Sequence, residues 1–244
     1  MQRLTAYSIK KHIKFDKKEF TDFFTYILLL TVIVFLWRWR YLDLDVNKGI
    51  ILFLLLYLCF FLSLFVYVIS QKIVALNSGY FAKYENSFFG FIFCLFITFY
   101  TAGFLLCLYP GSVILEHSEK MRLGKFRYGI NIKDIAKVAF FGPIANLIIV
   151  FVLGLFYINK IQSPFLHVLI SINLMIAAFS LLPFPKLAGI HIFFFSIPLW
   201  IFIFVSVWLF GFIFVVFDKY MPILSIFIAI IMVILYHLYF KERL

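Results

Sequence analysis

Long stretches with almost no charge alternate along this chain with short polar segments. Apolar runs cover Phe23–Trp37, Gly49–Ser70, Ser87–Tyr109, Ile135–Ile158, Phe165–Leu182, Ile190–Phe217 and Pro222–Phe240. Most reach about 18 residues, enough at about 1.5 Å per helical residue to cross a hydrocarbon layer of roughly 30 Å. Their side chains do not alternate apolar and polar, which excludes the strands of a membrane barrel. The pattern therefore predicts an all-α polytopic membrane protein with six transmembrane helices plus one re-entrant or seventh hydrophobic segment. The ambiguous segment is Ser87–Tyr109, where Gly90, Gly103 and Pro110-Gly111 can accommodate a turn at depth if protein surrounds it.

Charge bears on that ambiguity. With seven full spans the Lys and Arg residues divide almost evenly between the two sides. If Ser87–Tyr109 dips in and returns, only Arg38, Arg40, Lys48, Lys160 and Lys219 fall outside. The other basic residues then collect on the cytoplasmic side, as the positive-inside rule requires. This expectation places both termini in the cytoplasm of a protein integral to the cell membrane. Residues 1–20 read as a basic cytoplasmic arm carrying Arg3, Lys10, Lys11, Lys14, Lys17 and Lys18, with no cleavable signal peptide expected. Residues 21–244 read as a single transmembrane domain.

Composition narrows the function classes. A chain of 244 residues that is 65% hydrophobic and 14% charged cannot enclose its apolar surface in a soluble core. The lipid bilayer is thus its first partner. The formal net charge of +11 is explained by basic residues that flank apolar runs and meet anionic headgroups, so no nucleic-acid partner is expected. Cys59, Cys94 and Cys107 lie inside apolar runs without zinc-like spacing and are expected to be free, packing thiols.

Two segments carry the candidate chemistry. Phe141-Gly-Pro-Ile-Ala-Asn146 contains Gly142-Pro143-x-x-Asn146, and Ser180-Leu-Leu-Pro-Phe-Pro185 is followed by Leu187-Ala-Gly189. In this order and spacing they resemble the site-2 protease family of intramembrane zinc metalloproteases. The Gly124-Lys-Phe-Arg-Tyr-Gly129 stretch is similar to archaeal members in particular. The resemblance implies a core over about 67–195, a zinc ion held by His-Glu-x-x-His and the aspartate of Leu-Asp-Gly, and a substrate groove.

The ligands themselves are missing. No His-Glu-x-x-His occurs anywhere, and Ala188 stands where the aspartate belongs. Laid on Tyr67–Gly79, the family's zinc helix keeps Lys72, Val74, Ala75 and Gly79. Its histidines become Tyr67 and Gln71, and its glutamate becomes Val68. A three-residue shift would use Ser70, Gln71 and Val74, again without a ligand set. Zinc needs three protein ligands and an open position for water, with a carboxylate to take the proton. Zinc, the family's cofactor, is therefore expected to be absent, and no residue is assigned a catalytic or metal-binding role.

Several readings follow. The resemblance implies a catalytically inactive pseudoprotease that binds transmembrane segments or a membrane partner without cleavage. Its groove would comprise Gly142, Pro143, Asn146, Pro183, Pro185 and Gly189, with proline-freed carbonyls and the Asn146 amide as hydrogen-bonding groups. Equally open is purely structural use, with Gly142-Pro143 kinking a helix for packing and Asn146 bonding a neighbour. Gln71 is expected to fill the vacated site by bonding to Asn146 or to carbonyls near Ala188. An active metalloprotease with unconventional ligands, His191 among them, is the enzyme alternative. A transporter with broken helices near Pro183 and Pro198 is the third.

Overall fold

The computed structural model describes residues 16–39, 46–85, 87–101, 106–117, 130–158, 163–217 and 220–241. Most of the basic arm and the loop residues 118–129, with their predicted turn, lie outside the described residues. Among the described residues ten elements follow one another: α1 (Lys17–Trp39), α2 (Val46–Asn77), β1 (Tyr80–Glu85), α3 (Phe88–Tyr100), β2 (Ser112–His117), α4 (Ile132–Ile158), α5 (Pro164–Ser180), α6 (Ala188–Phe195), α7 (Ile197–Phe217) and α8 (Pro222–Lys241).

The protein is mostly helical, and α1, α2, α4 and α7 are long and apolar enough to cross a membrane. The helix α3, the helix α5 and the Pro222–Ile234 part of α8 are shorter apolar helices. Along α2, Ile51, Leu54, Leu58, Leu62 and Phe65 are exposed at three- and four-residue spacing, one continuous apolar face. On α4, Ile148, Phe151, Val152 and Leu155 do the same. In water such faces drive aggregation; against lipid tails they cost nothing.

Two features depart from the sequence expectation. The run Ile190–Phe217 is not one helix. It breaks at Ser196, whose backbone is extended (φ −160°, ψ 110°), into α6 and α7. Pro198 accounts for the break, because without an N–H and with its ring crowding the carbonyl four residues earlier it cannot continue α6, whereas it fits the first turn of α7. The second departure is a two-stranded antiparallel sheet in a chain expected to be all helix. The strands β1 and β2 pair from Tyr80 opposite His117 to Glu85 opposite Ser112. Gly79 launches β1 from the end of α2 with φ 84°, a conformation that glycine adopts at no steric cost.

The ladder brings the two ends of the intervening segment together: Glu85 faces Ser112, so the described stretches 87–101 and 106–111 begin and end beside one another in the fold. The helix α3 has 13 residues, about 20 Å at the standard rise, and the return path 106–111 has no helix. The principal core lies among α1, α2 and this segment, with Tyr26, Ile27, Leu30, Phe60, Leu64 and Tyr67 fully enclosed. In a second cluster, small residues from α4, α5 and α6 (Ala139, Ala177, Ala178 and Ala188) pack with Ile203 and Val207 of α7.

Candidate functional site

The helix α4 continues through Pro143. A proline inside a helix cannot donate to the carbonyl four residues earlier, here Ala139, and its ring crowds that carbonyl. The missing donor comes from α2: Gln71 Nε2 donates to the Ala139 carbonyl at 3.4 Å. Beside it, the Ser70 hydroxyl points at both its own helix's Tyr67 carbonyl (2.8 Å) and the Phe141 carbonyl of α4 (3.1 Å). Gln71 therefore does not bond Asn146, one of its two expected partners; the carbonyl it reaches is that of Ala139, which packs in the cluster that holds Ala188. Gln71 repairs the backbone that Pro143 interrupts.

Gly142 allows this approach. A Cβ there would lie 2.5 Å from Gln71 Nε2 and 2.6 Å from the Tyr67 ring, far inside contact distance. Tyr67 and Gln71, four residues apart on one face of α2, thus press directly on the Gly142–Asn146 face of α4. Tyr67, Val68 and Gln71 are all fully buried, as are Asn146 and Ala188. The pairing of two distant motifs, Tyr67–Gln71 with Gly142-Pro143, is present in the fold. Ala188 reaches the same neighbourhood from α6 by packing in the cluster that contains Ala139.

Several buried polar atoms on α2, α4 and α5 lack a partner. Both amide atoms of Asn146 are enclosed and unpaired, as are Gln71 Oε1 and Asn173 Oδ1. The Tyr67 hydroxyl is turned toward Ser180 and Gln71 but closes a hydrogen bond with neither. Ser180 itself donates to Ala177, and Asn173 Nδ2 to Leu169. Each unpaired group costs about 1–3 kcal/mol in a buried setting.

The loop Leu181–Leu187 between α5 and α6 has no regular structure, and Pro183 and Pro185 are exposed on it. Two of its carbonyls are already engaged. Trp200 Nε1 donates to Leu181 at 2.9 Å, and the Tyr109 hydroxyl donates to Pro185. Lys186, with φ 60°, pairs with Glu85 at 3.5 Å. Gly189 is required where α6 folds back, because a Cβ would stand 2.0 Å from the Leu181 carbonyl oxygen. Near Ala178 an apolar cavity of about 190 Å³ opens between Trp37, Phe179, Trp208 and Phe212.

A buried ion pair, absent from the sequence reading, fixes the mouth of the fold. Lys72 Nζ lies 2.6 Å from Glu19 Oε1, with the side chains 2% and 6% exposed. The same carboxylate oxygen accepts the Tyr84 N–H at 2.8 Å, so α1, α2 and β1 meet at one carboxylate. The Tyr84 hydroxyl donates to the Pro110 carbonyl at 2.8 Å. Burial pushes the Tyr84 phenol well above its ordinary value, with Tyr26, Tyr67 and Asp22 adding to the rise. Sequence reasoning missed Glu19, Tyr109 and Trp200. Glu19 had one available signal, as an acid facing the first apolar run.

Tyr67, Val68, Gln71 and Ala188, which the site-2 protease resemblance would set at the ligand positions, do not fit zinc: a phenol, a valine, an amide and a methyl group offer no set of three ligands. Among the described residues no group of three or more His, Cys, Asp or Glu side chains converges. His167 stacks on Phe214 with ring centres 5.1 Å apart, and His191 lies partly buried on α6. No protein-family model matches this chain, and no curated protein or solved structure matches it.

Proposed function

We propose that this chain is a catalytically inactive, site-2-protease-like membrane protein that engages transmembrane segments of a client without cutting them. The observation that carries this reading is Asn146. It is fully buried, with both amide atoms unpaired, one turn along α4 from Gly142, the residue that Gln71 packs against. A client helix with a broken turn presents free N–H and C=O groups, the complement of such an amide. Tyr67 and Gln71 occupy the place of the zinc ligands and close it with packing rather than with metal chemistry. The apolar cavity beside Ala178 would take a bulky client side chain.

In this reading six helices cross the cell membrane, and α3 with residues 106–111 forms a re-entrant element rather than a seventh span. Both termini lie in the cytoplasm. The β1–β2 ladder supports the re-entrant path, since it joins the segment's two ends. Its irregular backbone is also served by protein groups, Tyr26 donating to the Tyr109 carbonyl and Tyr84 to that of Pro110, as non-helical backbone at depth requires.

The test uses two fluorescent transmembrane peptides in nanodiscs, one with a central Gly-Pro break and one an uninterrupted leucine helix. One or two hydrogen bonds to Asn146 predict about tenfold tighter binding of the broken peptide. Asn146→Leu should erase the preference without lowering Tm, and mass spectrometry should find both peptides intact. Equal binding of the two peptides refutes the reading. So does cleavage, or zinc near one per chain that is lost on His191→Ala.

A further inference from the structure

We infer that Cys94 and Cys107 form a reversible dithiol/disulfide site that clamps the returning arm of the α3 segment onto α3. The two Sγ atoms are 2.8 Å apart, well inside the non-bonded contact of two sulfurs and short of the about 2.05 Å bond. Cys94 is fully buried on α3, and Cys107 is half-buried on the arm. The backbones beside them are already held in register. One helical turn before Cys94, Gly90 receives the Tyr109 ring so closely that a Cβ would lie 2.6 Å from it. Two residues beyond Cys107, Tyr109 is fixed at both ends, its carbonyl accepting from Tyr26 and its hydroxyl donating to Pro185. The Pro110 carbonyl is held by Tyr84. Bond formation therefore needs a sub-ångström approach of the sulfurs and no rearrangement of the chain. The third thiol, Cys59, is buried in α2 and has no part in this contact.

The chemistry is thiol–disulfide exchange with a small-molecule disulfide as oxidant. The partly exposed Cys107 thiolate attacks one sulfur of that disulfide and releases its first thiol. The Cys94 thiolate then displaces the second. One S–S bond forms in the protein and one breaks in the reagent. Two electrons pass to the reagent, and the two cysteine protons end on the two thiols released. The reverse exchange with a dithiol reopens the site. Closure joins α3 covalently to the arm that carries Tyr109, and so stiffens the contact between that arm and the Pro183–Pro185 loop.

The experiment uses the full chain in detergent, treated with oxidised glutathione or with dithiothreitol, then unfolded and alkylated with iodoacetamide. The reduced protein should take three labels and the oxidised protein one, on Cys59, with a peptide cross-linked between Cys94 and Cys107. Closing a loop of this size should raise Tm by at least about 5 °C, and Cys107→Ser should abolish the rise. Three labels after oxidation would overturn the inference. A persistent mixed disulfide with glutathione, or a cross-link to Cys59 or between chains, would do the same. Because the labelling is read on the unaltered protein, the conclusion stands even if a cysteine variant fails to fold.

Discussion

Replacing Gln71 by leucine probes the repair of α4 directly. The substitution keeps the volume, removes the donor to the Ala139 carbonyl and leaves that oxygen buried without its partner from α2. A buried orphaned acceptor costs about 1–3 kcal/mol. The bond is long, at 3.4 Å, and the unpaired Gln71 Oε1 disappears with it, so the lower part of that range applies. We expect a loss of about 1–2 kcal/mol, equivalent to a fall in Tm of about 2–8 °C for a chain of this size. The loss depends on Pro143, which supplies the control. In a Pro143→Ala background residue 143 regains its N–H and α4 satisfies Ala139 internally. Gln71→Leu should then cost less than about 0.5 kcal/mol, a double-mutant coupling outside the scatter of independent sites. Thermal melts of the four proteins in one detergent measure it. Equal losses in both backgrounds would refute the argument and leave Gln71 as ordinary packing.

Other predictions follow from the same geometry. Lys72→Met strands the Glu19 carboxylate and should cost about 3–5 kcal/mol, whereas adding Glu19→Gln, which keeps an acceptor for the Tyr84 N–H, should restore at least half; additive losses would contradict an ion pair. Gly189→Ala drives a methyl into the Leu181 carbonyl and should lower stability by about 1–3 kcal/mol. Gly211→Ala, whose nearest neighbour would be 4.0 Å away, should leave the melt unchanged, and equal effects would discount the close approach. Alkaline stability should report Tyr84. Its folded pKa is raised above the ordinary value of about 10, so its contribution is intact below pH 10 and declines above it, as the unfolded chain loses a proton that the folded chain retains. Tyr84→Phe should lessen that decline by up to about 1.4 kcal/mol per pH unit, and parallel pH curves for the two proteins would exclude it.

Helix positions were legible in the sequence wherever apolar runs were long and unbroken. The run Gly49–Ser70 lies within α2, and Ile135–Ile158 differs from α4 only at its start. The break at Ser196 was harder to see, because hydropathy does not change there; only Pro198 marks it. The strands were hidden for a different reason. Tyr80–Glu85 and Ser112–His117 are short, flank the ambiguous segment and owe their structure to each other across many intervening residues. At the candidate site, the resemblance set Gln71 opposite Asn146 or Ala188, and the structure sets it against Gly142, one turn from Asn146. The partner of Gln71 was not legible, although the rule that supplies it is local: a proline at 143 orphans the carbonyl at 139. The roles of Glu19, Tyr109 and Trp200 depend on long-range contacts that leave no periodic trace.

The β1–β2 ladder has a consequence for how this architecture tolerates change in length. It joins Glu85 to Ser112, so in the re-entrant reading proposed above the stretch between the two strands contributes an even number of crossings, whatever its extent. Insertions or deletions there change the depth and volume of the loop while the sidedness of every helix from α4 onward is preserved. The same alteration that removed or added a single spanning helix would invert everything downstream. The molecule thus contains one stretch whose length is uncoupled from topology, pinned at its base by six residue pairs.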